Sequence, residues 1–394
     1  MKIGLVLPAL PGYSETFFRN KILGLQNHGI KVVLFVNHDK NRTHYLNCKV
    51  YQAPKLNGSI FTKVFNVIWV MMRALFITPK KTYALFLLNK QDNFSLKENF
   101  KNIITNQFLL YQKLDWIHFG FGTIALGREN VAKAIGAKMA VSFRGFDIGV
   151  YPIKYPNCYN KLWTKLDKIH VISDDIKDLV YSNGFNDECT ISKITPAIDV
   201  SLFSLETPEK EDNDTVQLLT VSRLHWKKGL IHTLEALSTF RKFGIAFHYT
   251  IIGSGSEEES IQHAIFQLNM MDCVTLLGLQ THAQIKEQMK LADIYIQYSV
   301  HEGFCNAVLE AQSMGLLCVV SDAEGLPENI LHLETGWVVP KRSPKLLANT
   351  LHDIILLDSS KKELIKRNAI NRVKEKFNSE LQIQQFLKFY NYSI

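Results

Sequence analysis

The chain has 394 residues, of which 46% are hydrophobic and 21% charged, and its net charge is +8. This length exceeds one ordinary core and predicts two domains, while the apolar content excludes a disordered chain. The positive charge indicates either an acidic partner, such as a nucleotide, a phosphate or an anionic lipid, or a generally basic surface; no dense Lys/Arg run with interleaved aromatic residues points to nucleic acid.

The N-terminal residues predict a buried β-strand at 3–7, because this apolar run is too short for a signal peptide. A loop from Pro8 follows, and then a helix that begins at Ser14 or Glu15 and ends at Gly29. A second apolar run covers residues 31–36. This β-loop-α-β pattern is typical of a doubly wound parallel sheet.

The same alternation continues along the chain and predicts an α/β protein with two parallel sheets. The break between the halves is expected near 203–215, a polar and acidic stretch that contains Pro208. The further predicted strands lie at 115–119, 139–143, 168–172, 216–221, 247–252, 273–277, 293–297 and 317–320.

Residues 61–77 depart from this rhythm because they are strongly apolar and carry Trp69 among few polar residues, with Lys80 and Lys81 just beyond. Such a basic amphipathic helix can lie in a membrane interface, or it can be a core helix of the first domain. No run of 18 apolar residues predicts a transmembrane helix. Six scattered cysteines without C-x-x-C spacing fit a reducing cytoplasm. The expected location is therefore the cytoplasm, with peripheral association with the inner membrane as an option.

The segment from His301 to Glu310 predicts an anion site, because it follows an apolar strand and opens a helix. Gly303 lets backbone approach a ligand, and Glu302 and Glu310 lie about two helical turns apart, so both can face one site. The alternative is a helix-stabilising Glu followed by an ordinary surface Glu. The residues expected to surround the bound anion and sugar are Gly303, Phe304, Cys305, Asn306 and Ala307.

A second segment, residues 220–229, follows the strand predicted at 216–221 and carries Arg223 and Lys228. Two cations at the start of a helix suit a diphosphate leaving group, although an isolated pair of this kind is often a solvated turn. Gly253 and Gly255 form a G-x-G turn after the next strand, without the third glycine of a dinucleotide fingerprint.

Metal binding is not expected. The one D-x-D pattern, Asp212–Asn213–Asp214, lies in the polar stretch between the halves with no apolar strand leading into it. A solvated acidic loop explains this pattern better than a metal site. The sequence predicts no cofactor beyond a nucleotide-sugar co-substrate.

Together, these motifs resemble family 4 of the retaining glycosyltransferases, in the branch that builds capsules, exopolysaccharides and lipopolysaccharides. Glu302 and Glu310 match the E-x7-E pattern of that family, and residues 222–229 match its G/S-R-L-x3-K-G turn. Further similar segments are 14–17, 117–120, 143–147, 197–203, 321–328 and 335–340. The resemblance covers nearly the whole chain and is more specific in the second half.

The resemblance implies a GT-B fold, with two Rossmann-like domains facing across a cleft. It implies an acceptor-binding domain at 1–205, a donor-binding domain at 206–378, and a helix at 379–394 that packs back on the first domain. Glu302 would contact hydroxyls of the donor sugar, Glu310 the ribose, and Arg223 and Lys228 the diphosphate. His118 would lie at the cleft as a catalytic group, and Gly12 is a further substrate-binding candidate.

Two positions depart from the family pattern. Cys305 stands where a proline is usual, which leaves the amide at this position free to donate. Arg144 stands where many members have a histidine, and arginine cannot act as a general base at neutral pH. Arg144 would either bind a phosphate or an acidic acceptor, or pair with Asp147 for structural reasons.

The resemblance thus implies retaining transfer of a hexose-type sugar from a UDP or GDP donor to a hydroxyl of a glycan or lipid-linked acceptor, in bacterial surface polysaccharide synthesis. Two alternatives remain open. One is a sugar-nucleotide epimerase on the same fold, which needs no acceptor. The other is a non-catalytic nucleotide-sugar-binding subunit, although such a subunit would be expected to have lost some of the four charged residues above.

Overall fold

The computed structural model describes residues 1–12, 16–37, 44–56, 58–204 and 215–392. The chain forms two compact units, Met1–Ile194 with Ile383–Ile394, and Thr195–Gln382. The first unit therefore ends somewhat before the predicted boundary at 205. The acidic stretch with the D-x-D pattern, and the predicted helix start at Ser14 or Glu15, lie outside the described residues.

The first unit contains an eight-stranded sheet in the order β3-β4-β2-β1-β5-β6-β7-β8. Its strands pair in parallel, except that β3 is antiparallel to β4. The strands predicted near 3–7, 31–36, 115–119, 139–143 and 168–172 are confirmed, and most of their residues are buried on both faces. The strands are β1 Lys2–Leu7, β2 Lys31–Val36, β3 His44–Tyr45, β4 Cys48–Gln52, β5 Trp116–Phe119, β6 Lys138–Phe143, β7 Lys168–Val171 and β8 Thr190–Lys193.

Helices pack against this sheet, and the three consecutive helices between β4 and β5 pack against one another. The last helix of the chain packs here, because Ile383, Phe386 and Tyr390 share a core cluster with Ile3 and Trp116. The helices are α1 Thr16–Asn27, α2 Ile60–Phe76, α3 Pro79–Gln91, α4 Leu96–Leu110, α5 Gly122–Ala125, α6 Val131–Ile135, α7 Tyr151–Lys154, α8 Asn160–Trp163 and α9 Asp174–Ser182, followed much later in the chain by α16 Ser379–Phe389.

The second unit contains a six-stranded, all-parallel sheet in the order β11-β10-β9-β12-β13-β14. The strand order reverses between β9 and β12, so the loops that follow these two strands are neighbours at the carboxyl edge of the sheet. The strands are β9 Val216–Val221, β10 Phe247–Ile252, β11 Val274–Leu276, β12 Ile294–Gln297, β13 Leu317–Ser321 and β14 Trp337–Val339. The helices are α10 Leu230–Phe240, α11 Glu258–Gln267, α12 His282–Leu291, α13 Asn306–Ser313, α14 Pro344–Leu356 and α15 Ser359–Lys376.

Helix α2 covers most of the segment that the sequence left open between a core and an interfacial helix. Only Val70 and Ala74 of its residues are buried, so it is not a core helix. Among the described residues, no single helix has the length and hydropathy to cross a membrane. The pair α2 and α3 meets those criteria jointly, but the two helices are bent by 104° at their junction.

Candidate functional site

The candidate site lies in the second unit, where the two predicted motifs follow the neighbouring strands β9 and β12. Gly229 ends the 220–229 motif, which follows β9, and has a φ of +62°. A Cβ at this position would overlap the backbone oxygen of Tyr298, which follows β12. Gly253 and Gly255 pack in the same way against the backbone of Ser222 and Leu224. These glycines therefore hold the turn after β9 close against the loops after β10 and β12.

An ion pair joins the two motifs. Lys228 Nζ donates to Glu302 Oε2, and both side chains are largely buried. Burial by itself lowers the pKa of Lys228, but the adjacent Glu302 carboxylate outweighs burial and raises that pKa. The structure therefore brings together one predicted sugar-binding carboxylate and one predicted phosphate-binding cation.

Further positive charge surrounds this pair. The Arg223 side chain is exposed beside the turn. Burial and then the charge of Arg223 lower the pKa of Lys227. Burial, then Lys227 and then Arg223 lower the pKa of His225. Cations held this close repel one another, and an anionic ligand relieves that repulsion. The turn is therefore suited to a diphosphate.

Glu324 positions the backbone of Glu302, a role that the sequence did not reveal. Its carboxylate accepts from the Glu302 backbone N–H at 2.8 Å, from Lys341 Nζ at 2.8 Å and from His301 Nδ1 at 3.1 Å. Burial raises the pKa of Glu324, but the hydrogen bonds from His301 and Lys341 outweigh burial and hold it at about 2. The sequence signals were its place in the loop after β13, the strand that pairs with β12, and its position within the family-like segment 321–328.

Helix α13 begins beside this ion pair, at Asn306. Its first N–H groups have no acceptor within the helix. Those of Ala307 and Val308 donate to the Cys305 sulfur, whereas that of the half-buried Asn306 makes no hydrogen bond to another described residue. Gly303 and Phe304 are buried, and the Phe304 ring packs 5.6 Å from that of Phe377. The helix start thus offers the Asn306 N–H as a backbone donor at the place where the sequence predicted an anion.

Cys305 requires a correction. Its backbone N–H, expected to be free, donates to Asn329 Oδ1 at 3.2 Å, and Asn329 Nδ2 donates back to the Cys305 carbonyl at 2.9 Å. The thiol is buried 3.6 Å from Gln297 Oε1, and burial raises its pKa to about 12. Cys305 therefore fixes the start of helix α13 and does not present a donor to a ligand.

Glu310 is half-buried and lies one helical turn after Asn306 on α13, between the buried residues Leu309 and Ala311. Within the described part of the chain, its carboxyl group has neither a hydrogen-bond partner nor an ion-pair partner. Burial raises its pKa to about 7. A desolvated carboxyl group without a partner is costly in a folded protein, so it is a strong candidate for a ligand contact.

The predicted site residues of the first unit are placed differently. His118 is completely buried: its Nδ1 lies 2.5 Å from Tyr390 Oη and its Nε2 lies 2.7 Å from Ser142 Oγ. Ser142 Oγ lies 2.7 Å from His170 Nδ1, and His170 Nε2 lies 2.9 Å from the carbonyl of Ile194. A carbonyl can only accept, so His170 donates to it, Ser142 donates to His170, and His118 donates to Ser142.

This chain of hydrogen bonds leaves His118 Nδ1 as the acceptor of the Tyr390 hydroxyl proton. Burial, followed by the charge of Lys21, lowers the pKa of His118 well below its usual value. The expectation that His118 faces a substrate is therefore not met in the structure, which makes it a neutral core residue with both ring nitrogens occupied.

Asp147 and Arg144 form a structured loop after β6. The buried Asp147 carboxylate accepts from the backbone N–H groups of Gly122, Arg144 and Gly145 at 2.9 to 3.0 Å. Burial raises the pKa of Asp147, and these three donors oppose that rise. Asp147 therefore acts on the loop backbone and is not presented as a ligand-binding group.

The Arg144 side chain lies over the rings of Phe17 and Phe18, at 4.0 and 4.8 Å from their centroids. Its Nε donates to the carbonyl of Gly120 at 3.3 Å. The residue as a whole is half-buried. Gly12 is exposed in the loop after β1, immediately before undescribed residues.

The described residues contain no group of three His, Cys, Asp or Glu side chains placed to hold a metal ion. The D-x-D pattern falls outside those residues. Independence from metal therefore stays a prediction.

The two α/β units match those of solved glycosyltransferases. The Anabaena protein Alr3699/HepE, solved in complex with UDP and glucose, has a TM-score of 0.74 at 16% identity and covers 99% of both chains. This likeness establishes that the chain has the GT-B fold, with two α/β units that are each built on a largely parallel sheet.

Sequence comparisons identify the activity class. Residues 205–372 match the family model "Glycosyl transferases group 1". The chain is 26% identical to the putative colanic acid biosynthesis glycosyltransferase WcaL of Escherichia coli over 97% of both chains. It is 30% identical to the amylovoran biosynthesis glycosyltransferase AmsK of Erwinia amylovora over 60% of this chain and 59% of AmsK. The chain is a glycosyltransferase that carries a group 1 domain.

Proposed function

We propose that this glycosyltransferase moves a hexose-type sugar from UDP or GDP to a hydroxyl of a glycan or lipid-linked acceptor, with retention at the anomeric carbon, in bacterial exopolysaccharide assembly. The observation that carries the proposal is the Lys228–Glu302 ion pair, which is bordered by the exposed Arg223. The relatives WcaL and AmsK, whose names give colanic acid and amylovoran biosynthesis, support the polymer context.

The donor would bind entirely on the second unit. Its diphosphate would lie against Arg223, Lys228 and the Asn306 N–H at the start of helix α13, where cations and a helix N-terminus converge. Glu302 would share Lys228 with the phosphate and accept hydrogen bonds from the sugar hydroxyls. The Glu310 carboxylate would accept hydrogen bonds from both ribose hydroxyls, which would give this group the partners that it otherwise lacks among the described residues.

In the reaction, the bond between the anomeric carbon and the donor phosphate oxygen breaks, and the acceptor oxygen bonds to that carbon from the same face. The acceptor's proton passes to the leaving phosphate oxygen, so no separate base is needed. Lys228, which its ion pair with Glu302 holds in place, would stabilise the charge that develops on the diphosphate, and the exposed Arg223 would add to that stabilisation. This route agrees with a His118 that is buried and fully hydrogen-bonded.

The test is turnover of a panel of UDP- and GDP-sugars by the full chain, with and without polyprenyl-linked and free glycan acceptors. The proposal expects release of nucleoside diphosphate that requires an acceptor, and a product whose anomeric configuration by NMR matches the donor. An isomerised sugar nucleotide formed without acceptor would identify an epimerase instead. Donor binding with no turnover on any acceptor would favour a non-catalytic subunit.

A further inference from the structure

Helix α2 carries a continuous stripe of exposed apolar side chains. Phe61 is 87% exposed, Phe65 67% and Trp69 56%. The stripe, which we call the α2 apolar stripe, comprises Phe61, Val64, Phe65, Ile68, Trp69, Met72, Leu75 and Phe76. These positions recur at intervals of three and four residues and occupy an arc about 140° wide at 3.6 residues per turn. A contiguous apolar surface of this size on a folded protein marks an interaction site.

The helix that bears the stripe is fixed to the first unit on its other face. Val70 and Ala74 are buried, and α2 packs on both α3 and α4. Its first turn is capped by Ser59, whose hydroxyl accepts from the Thr62 N–H at 3.3 Å, and Asn66 Nδ2 donates to the Lys55 carbonyl at 2.7 Å. The stripe is therefore displayed on a supported helix.

Charge identifies the partner. From Lys40 to Gln91 the sequence contains nine Lys and Arg residues and no Asp or Glu. Lys63, Arg73 and Lys80 are exposed on α2 and at the start of α3. Arg73 follows Trp69 at the edge of the stripe and Lys80 lies just beyond the end of α2, whereas Lys63 falls on the opposite face of the helix, with Val70 and Ala74. An apolar face with basic residues at its edge and end matches the interface of an anionic bilayer, where acyl chains and acidic headgroups lie side by side. A second copy of the chain would place like charges against one another.

We propose that the α2 apolar stripe docks the first unit on an anionic lipid bilayer, with α2 lying in the plane of the interface. Crossing the bilayer would bury Lys63 and Arg73 in hydrocarbon and would separate α2 from α3 and α4, whereas an in-plane helix keeps both contacts. Trp69 suits the headgroup level, and the guanidinium of Arg73 lies 5.7 Å from its ring centroid. A link from this docking to a lipid-linked acceptor rests on the proposed function, but the docking itself does not.

The experiment is flotation of the full chain with phosphatidylglycerol–phosphatidylethanolamine vesicles and with phosphatidylcholine vesicles. The stripe variant is Phe61→Ser/Phe65→Ser/Trp69→Ser. The matched control is Phe266→Ser/Met271→Ser, which alters two residues that are each 68% exposed in the second unit. Binding of the wild type to anionic vesicles should fall at least about tenfold in the stripe variant and stay unchanged in the control. The variant Arg73→Gln/Lys80→Gln should lose roughly fivefold per basic residue, on anionic vesicles only.

Three outcomes would overturn the docking proposal. They are no vesicle binding by the wild type, equal binding by the stripe variant, or light scattering that shows a wild-type dimer lost in the stripe variant. Nucleotide binding measured on the same preparations keeps the two proposals apart. Circular dichroism and a cooperative thermal transition that match the wild type would show that the first unit of the stripe variant is folded, so its vesicle result reports on α2 alone. Failure of the wild type to bind any nucleotide bears only on the proposed function.

Discussion

Replacing Glu310 with Gln should stabilise the free protein and weaken donor binding. The pKa of this carboxyl group is raised from 4.5 to about 7, so the folded state prefers the protonated form. Stability from this preference is fully present below pH 4.5 and is lost as the pH rises through 7, because the folded protein must then hold a desolvated charge. The resulting cost is about 3 kcal/mol at pH 8 and under about 1 kcal/mol at pH 5, at ~1.4 kcal/mol per pKa unit.

A neutral Gln avoids this cost at every pH. Glu310→Gln should therefore raise the melting temperature of the free protein by several degrees at pH 8, since ~1 kcal/mol shifts a unit of this size by about 2–4 °C. At pH 5 the variant and the wild type should melt close together. Differential scanning calorimetry at the two pH values measures this, with Glu287→Gln, which changes an exposed carboxylate of the same unit, as the control.

Binding should respond in the opposite direction. Ribose hydroxyls donate to the ionised carboxylate, and about a tenth of Glu310 is ionised at pH 6 against about nine-tenths at pH 8. Titration calorimetry with the cognate nucleoside diphosphate should then show wild-type affinity falling roughly tenfold from pH 8 to pH 6. Glu310→Gln should bind more weakly and lose this extra pH dependence. A variant that is no more stable at pH 8, or that binds like the wild type, would refute the role given to Glu310.

Three further predictions concern the loops around the ion pair. Lys228→Ala should lower kcat/KM by at least about a hundredfold and leave Glu302 buried without its partner. In a double-mutant cycle with Glu302→Gln, the two losses in kcat/KM should not add; additive losses would mean that the pair does not act as a unit. Gly229→Ala should destabilise the protein by more than about 2 kcal/mol. The control Gly244→Ala, also at positive φ but in open space, should cost about 1 kcal/mol. Equal costs by chemical denaturation would contradict the close approach of Gly229 to the Tyr298 backbone. Glu324→Gln should lower kcat more than it lowers nucleotide affinity; a matching fall in nucleotide affinity would argue against a positioning role. The pH profile of wild-type kcat should show no step from Glu324 between pH 5 and 8, because the pKa of that group is about 2.

The strands and the donor motifs could be predicted from the sequence because both have local signatures. A parallel strand buried on both faces, such as β12, is a short apolar run, and the residues after such a strand lie at one edge of its sheet. The family resemblance assigned Lys228 and Glu302 to the same donor site. Sequence spacing cannot show that their side chains form an ion pair in the free protein.

Other features depended on residues that are distant in the chain. His118 looks like a site residue until Tyr390, which directly follows the last helix, donates to its ring. The Cys305 amide looks free until Asn329 accepts from it. Neither partner is signalled near the residue that it engages, and a buried histidine has the same local pattern as one that faces a substrate.

Helix α2 shows a different limit. Its apolar periodicity is the same whether the stripe faces a protein core or a lipid interface, so the sequence alone left both interpretations open. The structure decides against the core, because Val70 and Ala74 alone are buried along the helix.

The most direct test of the account is a thermal-shift measurement of the purified protein with UDP, GDP and ADP, without added metal. We predict that one nucleotide stabilises the wild type by ~2.7 kcal/mol when present at 100 times its dissociation constant. The shift should shrink in Arg223→Ala and in Glu310→Ala. No shift with any nucleotide, or an undiminished shift in both variants, would contradict a donor site at the carboxyl edge of the second sheet.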